Sequence, residues 1–447
     1  MSTSLSDSPV YAGLFGDPEI AAHLTPQAEI AAMIRYEAAL AEVEARLGLI
    51  PAAAGPAIAA ALDGLTVAPE ELAAGTRSAG VPVPALVARL RAAAGPHGSH
   101  VHWGATSQDV LDGALLLRLR PVLEILERRL RRLTLALLAA AEAHATLAMA
   151  GRTRSQIAAP TTLGLRIAAW AAPLGRCLDR LAELRPRLLV VPFGGAVGNL
   201  SVLGEAGPAA MDALADALGL APAAKPWGTE RDGVVELANW LAMVSGLLAR
   251  IGADLMLMGR SEIGEMTAGE GGGSSTMPQK ANPVLAETLV ALGRQNAGAA
   301  ATMAGALLHT EERDAAAWSL EWPVLPQMLL ATGAGLLHAG DLAGSLAPRP
   351  ARMAAMLEAG GGAARAEALA FALAREMPLG EAQGLLKQAA RALAAEGGRL
   401  ADHLAPLCAA RGVAVPEVDD APMLANAAAF IARLRAAFAH LTEPGSA

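Results

Sequence analysis

Apolar residues recur along this chain at spacings of three and four, with no sustained alternation of period two, so almost every segment longer than a dozen residues predicts a helix. One such stripe is Ile30, Met33, Ile34, Leu40, Val43 and Leu47, closed by Gly48 and Pro51. From Leu111 onward the predicted helices lengthen: Leu111 to Ala150, Thr161 to Arg185, Gly233 to Ile263, Pro283 to His309 and Trp322 to Leu346. Pro121 should kink the first of these or mark a restart, because proline removes a backbone hydrogen bond and clashes with the preceding turn. The expected class is all-α, with no sheet of any size. Three helical regions are expected: 1–110, a central bundle of long helices over 111–347, and 348–447. Segments such as Leu237 to Met258 are apolar around much of their circumference, which a lone bundle would leave wet, so the pattern predicts an obligate homo-oligomer with a shared helical core.

Composition adjusts this picture in a few places. A hydrophobic share of 53% and a mean hydropathy of +0.37 look membrane-like, but the excess is mostly alanine, a strong helix former with little transfer free energy. The segment Leu133 to Ala150 is interrupted by Glu142 and His144 and comes after Arg128, Arg129, Arg131 and Arg132, so no bilayer span is expected there. The first residues, Met1 to Pro9, have neither a basic nor an apolar export pattern, which makes the cytoplasm the expected location. Cys177 and Cys408 lie far apart in apolar patterns and predict buried thiols rather than a disulfide or a metal site. A net charge of -8 with dispersed arginines argues against a nucleic-acid partner. Lysine occurs only at 225, 280 and 387, against a background rich in arginine, so Lys280 invites a chemical reason.

The strongest local signal runs from Gly269 to Pro283, where four glycines in five residues precede Ser274 and Ser275, with Lys280 and Asn282 coming next at a predicted helix start. A plain linker has no need of that lysine and asparagine; backbone N–H groups, the helix dipole and a cation converge there on an anion, which describes a carboxylate site. A second segment, His100 to Val110, runs into the Leu111 helix. One of Thr106, Ser107 and Asp109 is needed as a cap, and the two hydroxyls after Gly104 can equally bind a substrate carboxylate. His102 is either a second proton-transfer group or a histidine that hydrogen-bonds the loop. A third polar run, Gly151 to Thr162, carries Arg152, Arg154, Gln156 and Thr161, a set suited to a polyanion because guanidinium forks match carboxylates. Two weaker candidates are Phe193 to Asn199 and Trp227 to Asp232; Arg231 in the latter is a candidate carboxylate contact.

The combination resembles the fumarase/aspartase superfamily. Its signature Gly-Ser-Ser-x-Met-Pro-x-Lys-x-Asn-Pro is matched from Gly273 to Pro283, and Thr106-Ser107 with Asp109 and the Gly151–Thr162 run resemble the other two active-site regions in the same order. The resemblance implies a three-domain helical subunit, a homotetramer, active sites each assembled from three subunits, no metal or organic cofactor, and addition or elimination next to a carboxylate. It implies that Ser274 exchanges the Cα proton and that Lys280 binds a carboxylate. Fumarases, adenylosuccinate lyases and argininosuccinate lyases usually carry Thr-His where this chain has Thr153-Arg154. Arginine stays protonated and is a poor general acid, so expulsion of hydroxide or an amine would lack its donor. Lactone opening expels a carboxylate, whose conjugate acid has a pKa of roughly 4, and Arg154 can stabilise that charge without giving up a proton. Leu14 to Asp17, Phe193 to Ala196, Glu312 to Trp318 and Glu321-Trp322 resemble the bacterial 3-carboxymuconate cycloisomerases, while Gly228 replaces the histidine expected before Thr229. The alternatives are an adenylosuccinate-lyase-like C–N lyase and a catalytically silent member with a structural or binding role.

Overall fold

The long helices expected from the apolar periodicity are present in the computed structural model, which describes residues 5–273 and 276–442. They run Ser107–Ala143, Leu163–Leu188, Asp232–Met258, Val284–Ala304 and Glu321–Gly344. The first continues through Pro121 as a single helix instead of restarting there, and it stops seven residues before the expected Ala150. Beyond its end the chain forms a β-hairpin.

That hairpin departs from the expectation of no sheet. Ala148–Thr153 pairs antiparallel with Gln156–Thr162, and two further two-residue ladders join Met266–Thr267 to Ala347–Pro348 and Gly272–Gly273 to Ala281–Asn282. The hairpin turns through Arg154 and Ser155, at φ 50 and φ 66. A two-residue loop with both residues left-handed is the turn whose twist matches paired strands. Gly151 sits where the register shifts, and a Cβ there would lie 2.5 Å from the Ala159 carbonyl oxygen, so glycine is required. The polarity expected of an interhelical loop belongs to the exposed ends of two short strands.

Residue contacts sort into two units. One comprises Met1–Arg129, Cys177–Ala249 and Val290–Leu337. Within it, the Pro26–Arg46 helix begins at Thr25, whose hydroxyl accepts from Ala28 N, with Pro26 in the first turn. Its inner face buries Ile30, Met33, Ile34, Leu40 and Val43, each burial stabilising by roughly 1.5–3 kcal/mol. Leu47, expected on the same stripe, stands 38% exposed where the helix ends. The same inner face also carries Glu37 and Glu44. Farther along this unit, Ser245 of the Asp232–Met258 helix bonds Thr332 at 3.0 Å, and Asn296 donates to both, which fixes three apolar helices at one polar point.

The other unit comprises Leu130–Arg176, Arg250–Leu289 and His338–Ala447. Its last hundred residues pack Leu369, Leu373, Leu385, Leu386, Leu400 and Leu404 into one cluster that also encloses Cys408. Cys177 and Cys408 are both buried, as expected.

Candidate active site

In the first unit, the segment before the Ser107–Ala143 helix is held by one carboxylate. Asp109 accepts from the backbone N of Thr106, Gly194 and Gly195, each at 2.9 Å. Burial pushes its carboxyl up to about 7, while the three N–H donors pull it the other way. Asp109 is thus the residue that serves the helix start, reaching back to Thr106 N, and the hydroxyls of Thr106 and Ser107 have no partner among the described residues. They remain available to a ligand. Gly195 is left-handed, at φ 67, and a Cβ on it would meet the Gly104 carbonyl oxygen at 2.9 Å, so the Phe193–Asn199 segment can approach the helix start only as glycine.

Beside this turn lies a cavity of about 220 Å3, lined among others by Gln108, Asp109, Gly195, Trp227, Gly228 and Arg313. Gln108 donates to the Gly228 carbonyl at 2.5 Å and accepts from Arg313 Nε at 3.0 Å, which orients its amide. A Cβ at Gly228 would stand 3.4 Å from Gln108 Oε1. A side chain at 228 would therefore begin in ordinary van der Waals contact with the Gln108 amide.

Arg231 is placed differently from the expected substrate contact. It is 1% exposed and donates four hydrogen bonds, two to Asp112 at 2.8 and 3.0 Å and two to Glu321 at 2.7 Å, beneath the ring of Trp227. Burial pulls the guanidinium down, yet the two carboxylates hold it well above its ordinary value. Four of its five N–H donors are thus occupied inside the fold, where it ties the Trp227–Asp232 segment to Asp112 and Glu321. Burial raises the Glu321 carboxyl, and the arginine opposes that rise.

His102 lies on the same helix approach, left-handed at φ 65, with Nδ1 2.6 Å from Glu37 Oε1. Glu37 is not among the residues expected from sequence, although a signal for it exists: Met33, Glu37, Leu40 and Glu44 succeed one another at helical spacing, which puts two acids on an apolar stripe.

In the second unit, Arg152 also differs from expectation. Its two terminal nitrogens bind Glu265 at 2.8 and 3.0 Å, and that carboxylate is fully buried. The fork is used to anchor the hairpin. Arg154 and Gln156, by contrast, are exposed at the hairpin tip without a partner among the described residues, and Thr161 is half-buried beside Met149. The Gly272–Gly273 and Ala281–Asn282 ladder pinches the ends of the signature loop; Gly271 is needed there because its Cβ would lie 2.5 Å from that of Ala281. Lys280 is exposed and unpaired among the described residues, and Asn282 is half-buried just ahead of the Val284–Ala304 helix. Ser274 and Ser275 lie outside the described residues.

Comparison with known proteins gives the family. A family model described as a lyase matches residues 9–298. The chain is 39% identical to a 3-carboxy-cis,cis-muconate cycloisomerase of Bradyrhizobium diazoefficiens, over 91% of each chain. It is 41% identical to the enzyme of that name from Pseudomonas aeruginosa, over 80% of each. The crystal structure of 3-carboxy-cis,cis-muconate lactonizing enzyme from Pseudomonas putida superposes with a TM-score of 0.89 at 34% identity, covering 98% of this chain and 100% of that one. The signature loop, the helix start at Ser107 and the matching all-helical fold thus lead to one conclusion: the chain belongs to the lyase family of the fumarase/aspartase superfamily.

Proposed function

We propose that this chain is a 3-carboxy-cis,cis-muconate cycloisomerase, forming 4-carboxymuconolactone by intramolecular addition of a carboxylate across a carbon–carbon double bond. The relatives of that name at 39% and 41% identity support the assignment. The observation that carries it chemically is Arg154, an exposed guanidinium with no partner among the described residues, at the hairpin tip where a C–N or C–O lyase needs a proton donor. A lactone opens to a carboxylate, which leaves as an anion, so a fixed positive charge suffices.

In the forward direction a substrate carboxylate oxygen forms the new C–O bond. The π pair moves to the carbon next to a second carboxylate, and Ser274 delivers a proton there. Negative charge builds on that carboxylate as the bond forms; Lys280, Asn282 and the helix N-terminus at Val284 stabilise it. Thr106 and Ser107, whose hydroxyls have no partner among the described residues, bind another carboxylate, and Gln156 and Thr161 serve as further polar contacts to the substrate. Arg152 and Arg231 act one layer back, by fixing the segments that carry these groups.

The assembled form is a cytoplasmic homotetramer. In support, the Asp232–Met258 helix is long and apolar enough to cross a membrane by composition alone, yet only 44% of its most apolar window is buried in one chain. Its polar anchor at Ser245 suits a protein core, and partner helices would cover the rest. Light scattering of the purified 45.3 kDa chain checks this, four chain masses being expected.

The direct test tracks the ultraviolet absorbance of 3-carboxy-cis,cis-muconate mixed with the protein, beside a Ser274→Ala variant. Rapid loss that the variant abolishes is expected. No loss with the wild type, or turnover of adenylosuccinate in its place, sinks the assignment and leaves the family membership standing.

A further inference from the structure

We propose that Glu37 is the positioning residue of a carboxylate–histidine pair, accepting the Nδ1–H of His102 and so leaving Nε2 as the atom through which the active site takes up a proton. The proposal rests on the cycloisomerase reading, which creates the need. Addition converts three carboxylates into two and a lactone, and the carbon that receives the π pair must gain one proton. Each turnover therefore consumes a proton that has to come from water.

The geometry supplies an atom for that task. Glu37 Oε1 is 2.6 Å from His102 Nδ1, and the Glu37 carboxylate is wholly buried with Oε2 unpartnered, so its one strong bond goes to the ring. The helix under Glu37 cannot shift easily: the neighbouring Tyr36 donates to the Pro192 carbonyl at 2.7 Å, and its ring lies so close to Gly113 that a Cβ there would stand 2.3 Å away. His102 itself is left-handed at φ 65, a conformation that disfavours a residue with a Cβ and persists only where its surroundings hold it. The ring is 17% exposed, enough for one edge to meet water or substrate.

The charged groups that face this pair come from several elements. Glu44 lies two turns farther along the Glu37 helix, and burial raises it to about 9, with Glu37 adding to the rise, which keeps it neutral. Asp109 comes from the Ser107–Ala143 helix. Arg91, from the Val83–Ala93 helix, donates to the Val101 carbonyl at 3.3 Å and so braces the backbone beside His102. His100 shares the loop, with its Nδ1 buried and unpartnered. Among these, Glu37 is the group in contact with the His102 ring. With Nδ1–H bound to it, a bare Nε2 takes a proton from water, the Glu37 carboxylate offsets the imidazolium charge, and Nε2 releases the proton into the site.

A merely structural pair would hold the loop without serving proton uptake, so 15N NMR of histidine-ring-labelled protein is read together with kcat. His102→Gln assigns the resonances, and spectra are taken on the neutral ring. The wild type is expected to show a protonated Nδ1 and a bare Nε2. Glu37→Leu should move the proton to Nε2 and lower kcat about 100-fold with little change in KM, the lower end of the range for lost acid–base assistance. Glu37→Gln keeps an acceptor oxygen and should retain the Nδ1–H. A bare Nδ1 in the wild type overturns the proposal whether or not Glu37→Leu folds, as does a folded Glu37→Leu protein that keeps kcat, whatever its tautomer. The spectra need no substrate, so a wild type inactive on the muconate would defeat the assigned function without deciding the tautomer.

Discussion

Two helix starts carry much of the proposed chemistry, and they are built in opposite ways. At Ser107 the backbone is tied down: Asp109 binds three N–H groups, Gln108 is clamped between Gly228 and Arg313, and His102 is bonded to a buried carboxylate. At Val284 the approach is a two-residue ladder beside an exposed Lys280 with no internal partner among the described residues. The arginines repeat the contrast, Arg231 and Arg152 being bound to carboxylates within their own units while Arg154 stands on a turn with no partner among the described residues. Polar groups inside the fold must be paired to offset their desolvation, whereas groups meant for a substrate must be left unpaired. Partnership, more than residue type, separates scaffold from reagent.

This contrast predicts that the two classes fail differently. Arg231→Met strands Asp112 and Glu321 in the interior and should cost about 3–5 kcal/mol in urea unfolding, the largest stability loss expected here. Smaller damage to Arg231→Met than to exposed controls would break the comparison. Lys280→Met should do the reverse: kcat/KM falls about 100- to 1000-fold, in the range of one lost anion-stabilising group, while the unfolding midpoint stays put. Asp109→Asn keeps the size but turns an amide NH2 toward a backbone donor, so a loss of roughly 1–3 kcal/mol is expected, read by thermal unfolding.

The finest test uses pH. The folded-state Glu44 carboxyl, at about 9, lies above its ordinary 4.5, so between these values the folded chain binds more protons than the unfolded one. Stability contributed by this group is present below about 4.5 and is lost as pH rises toward 9, at no more than about 1.4 kcal/mol per pH unit. Glu44→Gln should flatten that slope, giving a stability gain that grows from pH 6 to pH 8.5. A gain independent of pH would mean that Glu44 is charged throughout.

Much of this layout is legible in the sequence because it depends on local pattern. The three-and-four spacing locates the long helices, and the Gly273–Pro283 signature and Thr106-Ser107 mark the helix starts. The departures share one cause. Arg152 and Arg231 look the same as Arg154 in sequence, and only their neighbours in space, Glu265 in one case and Asp112 with Glu321 in the other, engage them within the fold. The hairpin escapes sequence reading because strands of six and seven residues, one broken by a bulge at Gly151, are too short for their alternation to register. Glu37 escapes it although its place on an apolar stripe is visible, since helical spacing gives a face and not the partner across from it.

The helical class, the positions of the helix starts and the chemical character of the loops were thus settled by the order of residues alone, because backbone propensity, apolar periodicity and a contiguous motif are properties of neighbours along the chain. Tertiary packing decided which polar groups are engaged and which remain free. His102 meets Glu37 across 65 residues, and Arg231 meets Asp112 across 119 and Glu321 across 90. Such pairings form only where packing has excluded water, and the cost of burying an unpaired charge selects them.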